Sequence, residues 1–195
     1  MPANVDWAAM REKMPMEKTK EGKEARAALF QGFDPNGNGY LSLAEVDKGC
    51  RDILGLYDVF DAKPVIMRAF QAAKGANDKK GRASRGPDYV EKCEFRLLFV
   101  YLRQYFEIWQ MFDVVDSSDD RRVSIDEFKV AVPQLARWGV TITDPEAEFR
   151  RVDTDGGGML LFDEFADWAL KKQLDLEDDD DFDDPALHGV RQKQK

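Results

Sequence analysis

Asp34-Pro35-Asn36-Gly37-Asn38-Gly39-Tyr40-Leu41-Ser42-Leu43-Ala44-Glu45 sets oxygen donors at alternate positions of a twelve-residue loop and closes it with a carboxylate. A hard cation such as calcium takes six to eight oxygens at about 2.3–2.6 Å, and a turning loop of this length can supply them. Asp34, Asn36 and Asn38 stand at loop positions 1, 3 and 5. Tyr40 offers a backbone carbonyl at 7, Ser42 stands at the often water-mediated position 9, and Glu45 closes bidentately at 12. Gly39 fills position 6, where a positive φ is cheap only without a β-carbon. Leu41 at position 8 points to a core. A polar Asn-Gly turn between two helices would not need the acid at position 12, so the spacing reads as a calcium-binding helix–loop–helix, the EF-hand.

Two further loops share the register. Asp153 to Glu164 gives Asp153, Asp155 and Glu164 at positions 1, 3 and 12, the Met159 carbonyl at 7 and Gly158 at 6. Gly157 and Leu161 offer no side-chain oxygen, so water has to complete the set and affinity is expected to be lower. Asp116 to Glu127 supplies Asp116, Ser118, Asp120, Ser124 and Glu127 at 1, 3, 5, 9 and 12, with the Arg122 carbonyl at 7. Arg121 replaces the glycine at 6, a left-handed residue costing on the order of 1 kcal/mol. In chain order Asp116 to Glu127 is the third loop and Asp153 to Glu164 the fourth, and the second hand, between them and the first, is expected to be empty. Aligning Val90 and Glu94-Phe95 with Val123, Glu127-Phe128 and Leu160, Glu164-Phe165 puts Ala83 at position 1 and Arg85 at position 3, which cannot begin a cation site. Glu94 also follows Glu45 by 49 residues where Glu127 and Glu164 are 37 apart, so an insertion lies around residues 74–87.

Helical periodicity fills the intervals between loops. Ala25, Leu29 and Phe33 lead into the first loop, and Val46, Cys50, Ile53 and Leu54 follow it. Pro64 opens a short helix through Val65, Ile66, Ala69 and Phe70. Phe95 to Phe112 holds 13 apolar residues in 18, yet Arg96, Arg103, Gln104, Glu107 and Gln110 within it make a buried helix the better reading than a membrane span. Pro133 is expected to kink or restart its helix because it lacks an N–H. Thr143-Asp144-Pro145-Glu146 has capping-box spacing, with Thr143 serving the free amides. The expected fold is all-α: about eight main helices in four EF-hand units, two lobes packed compactly, with short β-ribbons pairing the loops. A further short helix is expected near Trp7 to Lys13. The expected division is an N-terminal extension (1–20), a first EF-hand pair (21–100, insertion 74–87), a second pair (101–174) and an acidic disordered tail (175–195).

Acids outnumber bases 38 to 29, which argues against a nucleic-acid partner. Seven carboxylates lie in residues 177–184 alone, and removing them takes the formal charge from −9 to −2. Two cysteines, Cys50 and Cys93, give no disulfide framework, and a reducing cytoplasmic compartment is the default. The single histidine, His188, falls in the polar tail. Triads, zinc sites and Cys-His pairs need a histidine in a folded pocket, so an enzyme is not expected.

The chain resembles the calflagins, the flagellar calcium-binding proteins of trypanosomatids, over roughly residues 7 to 173. The likeness is carried by Phe33-Asp34, Phe95-Arg96-Leu97 leading into Met111-Phe112-Asp113, Ala131-Val132-Pro133 with Trp138-Gly139-Val140, and Phe162-Asp163-Glu164-Phe165. It implies a compact four-hand fold, a calcium response and residence in a cilium or flagellum. The family typically begins Met-Gly with a lipidated N-terminus, whereas this sequence reads Met1-Pro2-Ala3-Asn4. A myristoyl anchor is therefore not expected here.

Three roles stay open at this point. One is a calcium sensor or adaptor with protein partners, axonemal or microtubule-associated among them. A second is a structural axonemal component, and a third is a calcium buffer. Magnesium as the resting occupant of a loop, and peripheral membrane contact, are left open too. Lys74, Lys79, Lys80, Arg82 and Arg85 form a basic stretch that an acidic surface could meet, though a solvated loop is the plainer reading.

Overall fold

A computed structural model describes residues 5–74 and 88–172. The residues proposed for positions 1 and 3 of the empty hand, most of the basic insertion, His188 and the acidic tail lie outside these.

The first, third and fourth hands begin where an apolar stripe ends in an acid, at Asp34, Asp116 and Asp153. Helix α1 (Trp7–Lys13) precedes α2 (Lys20–Phe33), the entering helix of the first hand. Thr19 caps α2 by accepting from the Gly22 amide at 3.1 Å. Strand β1 (Tyr40–Leu41) leads into the exit helix α3 (Leu43–Asp52), and α4 (Tyr57–Asp61) connects to α5 (Lys63–Ala73). Strand β2 (Val90–Glu91) then opens into α6 (Phe95–Val115). Strand β3 (Val123–Ser124), α7 (Ile125–Arg137), α8 (Pro145–Val152), β4 (Met159–Leu160) and α9 (Phe162–Lys172) complete the order.

The predicted ribbons form between loops. β1 pairs antiparallel with β2, Leu41 opposite Val90, and β3 pairs with β4, Val123 opposite Leu160. All four of these side chains are fully buried. With a side-chain period of two, that register turns each position-8 residue inward and its neighbours outward.

The apolar stretch read as a buried helix is one. α6 runs unbroken for 21 residues, serving as exit helix of the second hand and entering helix of the third. The expected boundary between the two pairs, at residues 100 and 101, thus falls inside a single helix. One end of α6 seats Phe30, Phe33, Phe95 and Phe99, with Phe33 and Phe95 edge to face at 5.1 Å. The other end seats Trp109, Phe112, Phe162 and Phe165, with Phe112 and Phe165 at 5.4 Å. Two of its buried polar residues pair inside: Arg103 Nε donates to Glu107 Oε1 at 3.1 Å, one turn on. No described helix is long and apolar enough to cross a membrane.

Two local expectations are corrected, and one helix was not expected. Pro133 does not restart its helix, since α7 continues through it to Arg137. Pro133 and Lys129 both lie on the exposed face of α7, the side on which a carbonyl that loses its partner can turn to solvent. The cap of α8 is Asp144 and not Thr143: its carboxylate accepts from the Ala147 amide at 3.0 Å, with Pro145 at the first helical position. An anionic acceptor is the stronger cap there, and Glu146 turns away to meet Lys129 Nζ at 2.7 Å. Helix α4, finally, carried no clear periodic signal in five residues.

Candidate metal centres

The three acidic loops close by the same hydrogen-bond ring. At position 1, Asp34 accepts from the amides of Asn38 (3.1 Å) and Gly39 (2.8 Å). Asp116 accepts from Asp120 (3.3 Å) and Arg121 (2.7 Å), and Asp153 from Gly157 and Gly158 (3.0 Å each). Each first aspartate therefore gathers the amides of positions 5 and 6 and bends the chain around itself.

The closing glutamate does two jobs. One oxygen of Glu45, Glu127 and Glu164 accepts from the position-9 amide, at 2.9, 2.9 and 3.2 Å. In the first and third loops this completes a capping box with Ser42 and Ser124, so the position-9 hydroxyls also cap α3 and α7. Leu161 has no hydroxyl to give in the fourth. The second oxygen crosses to the start of the loop. Glu164 Oε1 takes the Thr154 amide and hydroxyl at 2.8 and 3.0 Å, and Glu127 Oε1 takes the Ser118 amide at 3.0 Å. Pro35 has neither N–H nor hydroxyl at that place, and Asn36 Nδ2 donates to Glu45 Oε1 at 2.6 Å instead.

Backbone conformation follows the same template. Gly39, Arg121 and Gly158 at position 6 have φ of 85°, 64° and 77°. Position 4 is left-handed as well: Gly37 at 69°, Asp119 at 59° and Gly156 at 72°. Asp119 was missed by sequence reading, although the glycines aligned with it in the sister loops carried the signal. The third loop thus holds two strained non-glycine residues where the others hold glycine. Tyr40, Arg122 and Met159, at position 7, stand at or just before the pairing strands.

Electrostatics mark the third loop. Burial works to raise the Glu127 carboxyl, but the Ser124 amide and hydroxyl and the Ser118 donors outweigh it and hold it down to about 2. Asp113, one turn before Asp116, is pushed up by burial and by repulsion from Asp119 and Asp116. A concentration of negative charge is what a divalent cation relieves.

The fit to calcium rests on the donors. All are oxygens, and in the fourth loop the ligand atoms of Asp153, Asp155 and Glu164 lie within 4.8 Å of one another. In the first loop Asn36 Oδ1 and Asn38 Oδ1 accept from the Asn38 and Tyr40 amides at 3.0 Å, neutral acceptors in place of charge. Asp120 Oδ1 does the same for the Arg122 amide at 2.9 Å in the third. A bound ion would supply charge neutralisation, replacing these internal donors at the carboxylates.

Comparison with known proteins points one way. Residues 10–102 match the FCaBP EF-hand domain. A flagellar calcium-binding protein of Trypanosoma cruzi is 40% identical over 178 residues, covering 90% of this chain and 83% of that protein. The flagellar calcium-binding protein TB-24 of Trypanosoma brucei brucei is 41% identical over 179 residues, covering 91% and 81%. Among solved structures, a homologue of programmed cell death 6 protein from Leishmania major Friedlin aligns with a TM-score of 0.42 at 18% identity, covering 84% of this chain and 80% of that one, a likeness too loose to carry an argument.

Proposed function

The chain belongs to the flagellar calcium-binding protein family, and from that premise we propose that it is a calcium-responsive EF-hand protein of the flagellum. The first site is Asp34, Asn36, Asn38, Tyr40, Ser42 and Glu45; the third is Asp116, Ser118, Asp120, Arg122, Ser124 and Glu127. The fourth is Asp153, Asp155, Met159 and Glu164. The observation that carries this reading is the common ring: in all three loops the first acid holds the position-5 and position-6 amides while the last acid closes across the loop. Its role is binding and not catalysis, and its partners are proteins. Residues 21–100 and 101–174 act as two EF-hand pairs sharing α6.

A sensor is favoured over a buffer by one contact. Arg68 on α5 pairs with Asp167 on α9 and lies 3.5 Å from Asp163, beside the closing Glu164. A shift of α9 on ion uptake therefore reaches the first pair directly.

Calorimetric calcium titration with tryptophan emission recorded in parallel tests the proposal. Glu45→Gln, Glu127→Gln and Glu164→Gln are each expected to weaken their own site by about tenfold or more. Unaltered stoichiometry and affinity in all three variants would refute the site assignment. Binding with no change in emission would make the protein a buffer. Repeating the titration in magnesium reads the resting occupant, and co-sedimentation with salt-washed axonemes tests an axonemal or microtubule partner.

A further inference from the structure

The segment before α2 is held as firmly as the core. Met10, Met14 and Met16 are 4%, 0% and 2% exposed, and Trp7 packs on Phe106 of α6 with ring centroids 5.8 Å apart. A seven-residue helix such as α1 is too short to persist alone, so its order comes from what it lies on.

The segment is tied to α2 through its backbone and to the turn after α3 through a side chain. On α2, Arg26 Nη1 donates to the Pro15 and Glu17 carbonyls at 3.0 and 2.7 Å. Beyond the end of α3, Lys13 Nζ donates to the Gly55 carbonyl at 3.2 Å. Arg96 of α6 reaches the Met16 carbonyl at 3.4 Å. The turn into α2 is tight enough to exclude a side chain, since a β-carbon on Gly22, in the helix's first turn, would stand 2.8 Å from the Glu17 carbonyl oxygen. A glycine in a helix costs roughly 0.5–1 kcal/mol relative to alanine, and here it makes room for the end of the segment.

We propose that Val5–Glu17 is a strap across the first hand whose docking is linked to calcium at Asp34–Glu45. The proposal rests on the reading of that loop as a calcium site. Recruiting both Glu45 oxygens takes one from Ser42, where it sets the first turn of α3, and the other from Asn36 across the loop. The ten-residue α3 ends at Asp52 and carries that change into the turn just beyond it, where Lys13 meets Gly55. The strap spans α2 and the turn after α3, so it fits one angle between the two helices and opposes any other. Coupling of this kind is reciprocal: calcium loosens the strap, and a loosened strap tightens the calcium site.

Amide exchange measured on the full chain reads the strap directly. Protection across residues 7–16 is expected to fall on calcium addition, following the first site's isotherm, and to stay intact in Glu45→Gln while the other hands still fill. Arg26→Ala, which frees the Pro15 and Glu17 carbonyls, is expected to raise the first site's calcium affinity by about fivefold. Should calorimetry show loop one filling while strap exchange stays unchanged in the wild-type chain, the strap falls and the calcium reading stands. Equal loosening in Glu45→Gln also overturns it, because another hand would then be the driver. Identical calcium uptake at every site in Glu45→Gln and wild type removes both.

Discussion

The Phe33 ring, at the end of the first hand's entering helix, occupies the space that a β-carbon on Gly49 of the exit helix would need. Phe33 is 1% exposed and also meets Phe95 and Phe99 edge-on, so the ring is fixed from three sides. Gly49 lies four residues after the closing Glu45. The other hands carry Leu98, Ala131 and Trp168 at the corresponding place. The first hand alone seats its entering helix against bare backbone.

Gly49→Ala is therefore expected to destabilise the protein despite alanine's better helix propensity. Overpacking a filled core costs about 1–3 kcal/mol, more than the roughly 1 kcal/mol gained from propensity. Thermal and urea unfolding check it. A raised melting temperature would mean that the Phe33 ring has somewhere else to go.

Relief of backbone strain is expected to strengthen the third site. Arg121 holds φ at 64° where its sister loops use glycine, and that costs on the order of 1 kcal/mol. Arg121→Gly should tighten calcium binding there by about fivefold, the strain being greatest in the closed, ion-bound loop and released there. Asp119→Gly relieves the neighbouring position in the same way. A calorimetric affinity that stays flat in both variants contradicts the strain argument.

Stability of the second pair is expected to fall in strong acid through Glu148. Burial acts to raise this carboxyl, yet the Trp168 indole N–H at 2.8 Å and Lys172 Nζ at 2.9 Å, with Arg151, bring it below its ordinary value. A depressed folded value means that stability is fully present above the unfolded value, about pH 4.3, and is lost as pH falls through the folded one. Glu148→Gln should flatten that part of the stability profile between pH 6 and 3, flagged by urea midpoints at about half-unit steps. An unaltered slope would assign the acid sensitivity to other carboxylates.

The two thiols are expected to part company under labelling. Cys50 is fully buried, and its thiol is pushed up to about 12 by burial and by Asp47 against the opposing pull of Lys63. Cys93 is exposed, its thiol raised more modestly by burial and by Glu94 and Glu91. A thiol reagent at mildly alkaline pH should modify Cys93 in the native protein and Cys50 only after unfolding, read by intact mass. Equal rates at both would show that the first hand opens locally.

What was legible in the sequence is what short stretches of chain decide. A twelve-residue loop carries its ligand types, its glycine and its closing acid within its own length, so Asp34 to Glu45 announced the fold and its sister loops set the register. The landmarks Leu41, Val90, Val123 and Leu160 announced the ribbons, because position 8 alternates inward in any paired loop. The cap at Asp144 was misread because two good caps stand side by side, and Pro145 with the stronger acceptor decided between them.

Tertiary structure alone decided how the hands are joined. That Arg68 ties α5 to α9, and that Met14 and Met16 lie inside the core, are contacts between residues far apart in the chain. Local propensity fixes φ, ψ and ligand spacing over a few residues, and those the sequence determined by itself. Which apolar face covers which is settled by burying all of them at once, and only the folded chain chooses among those arrangements.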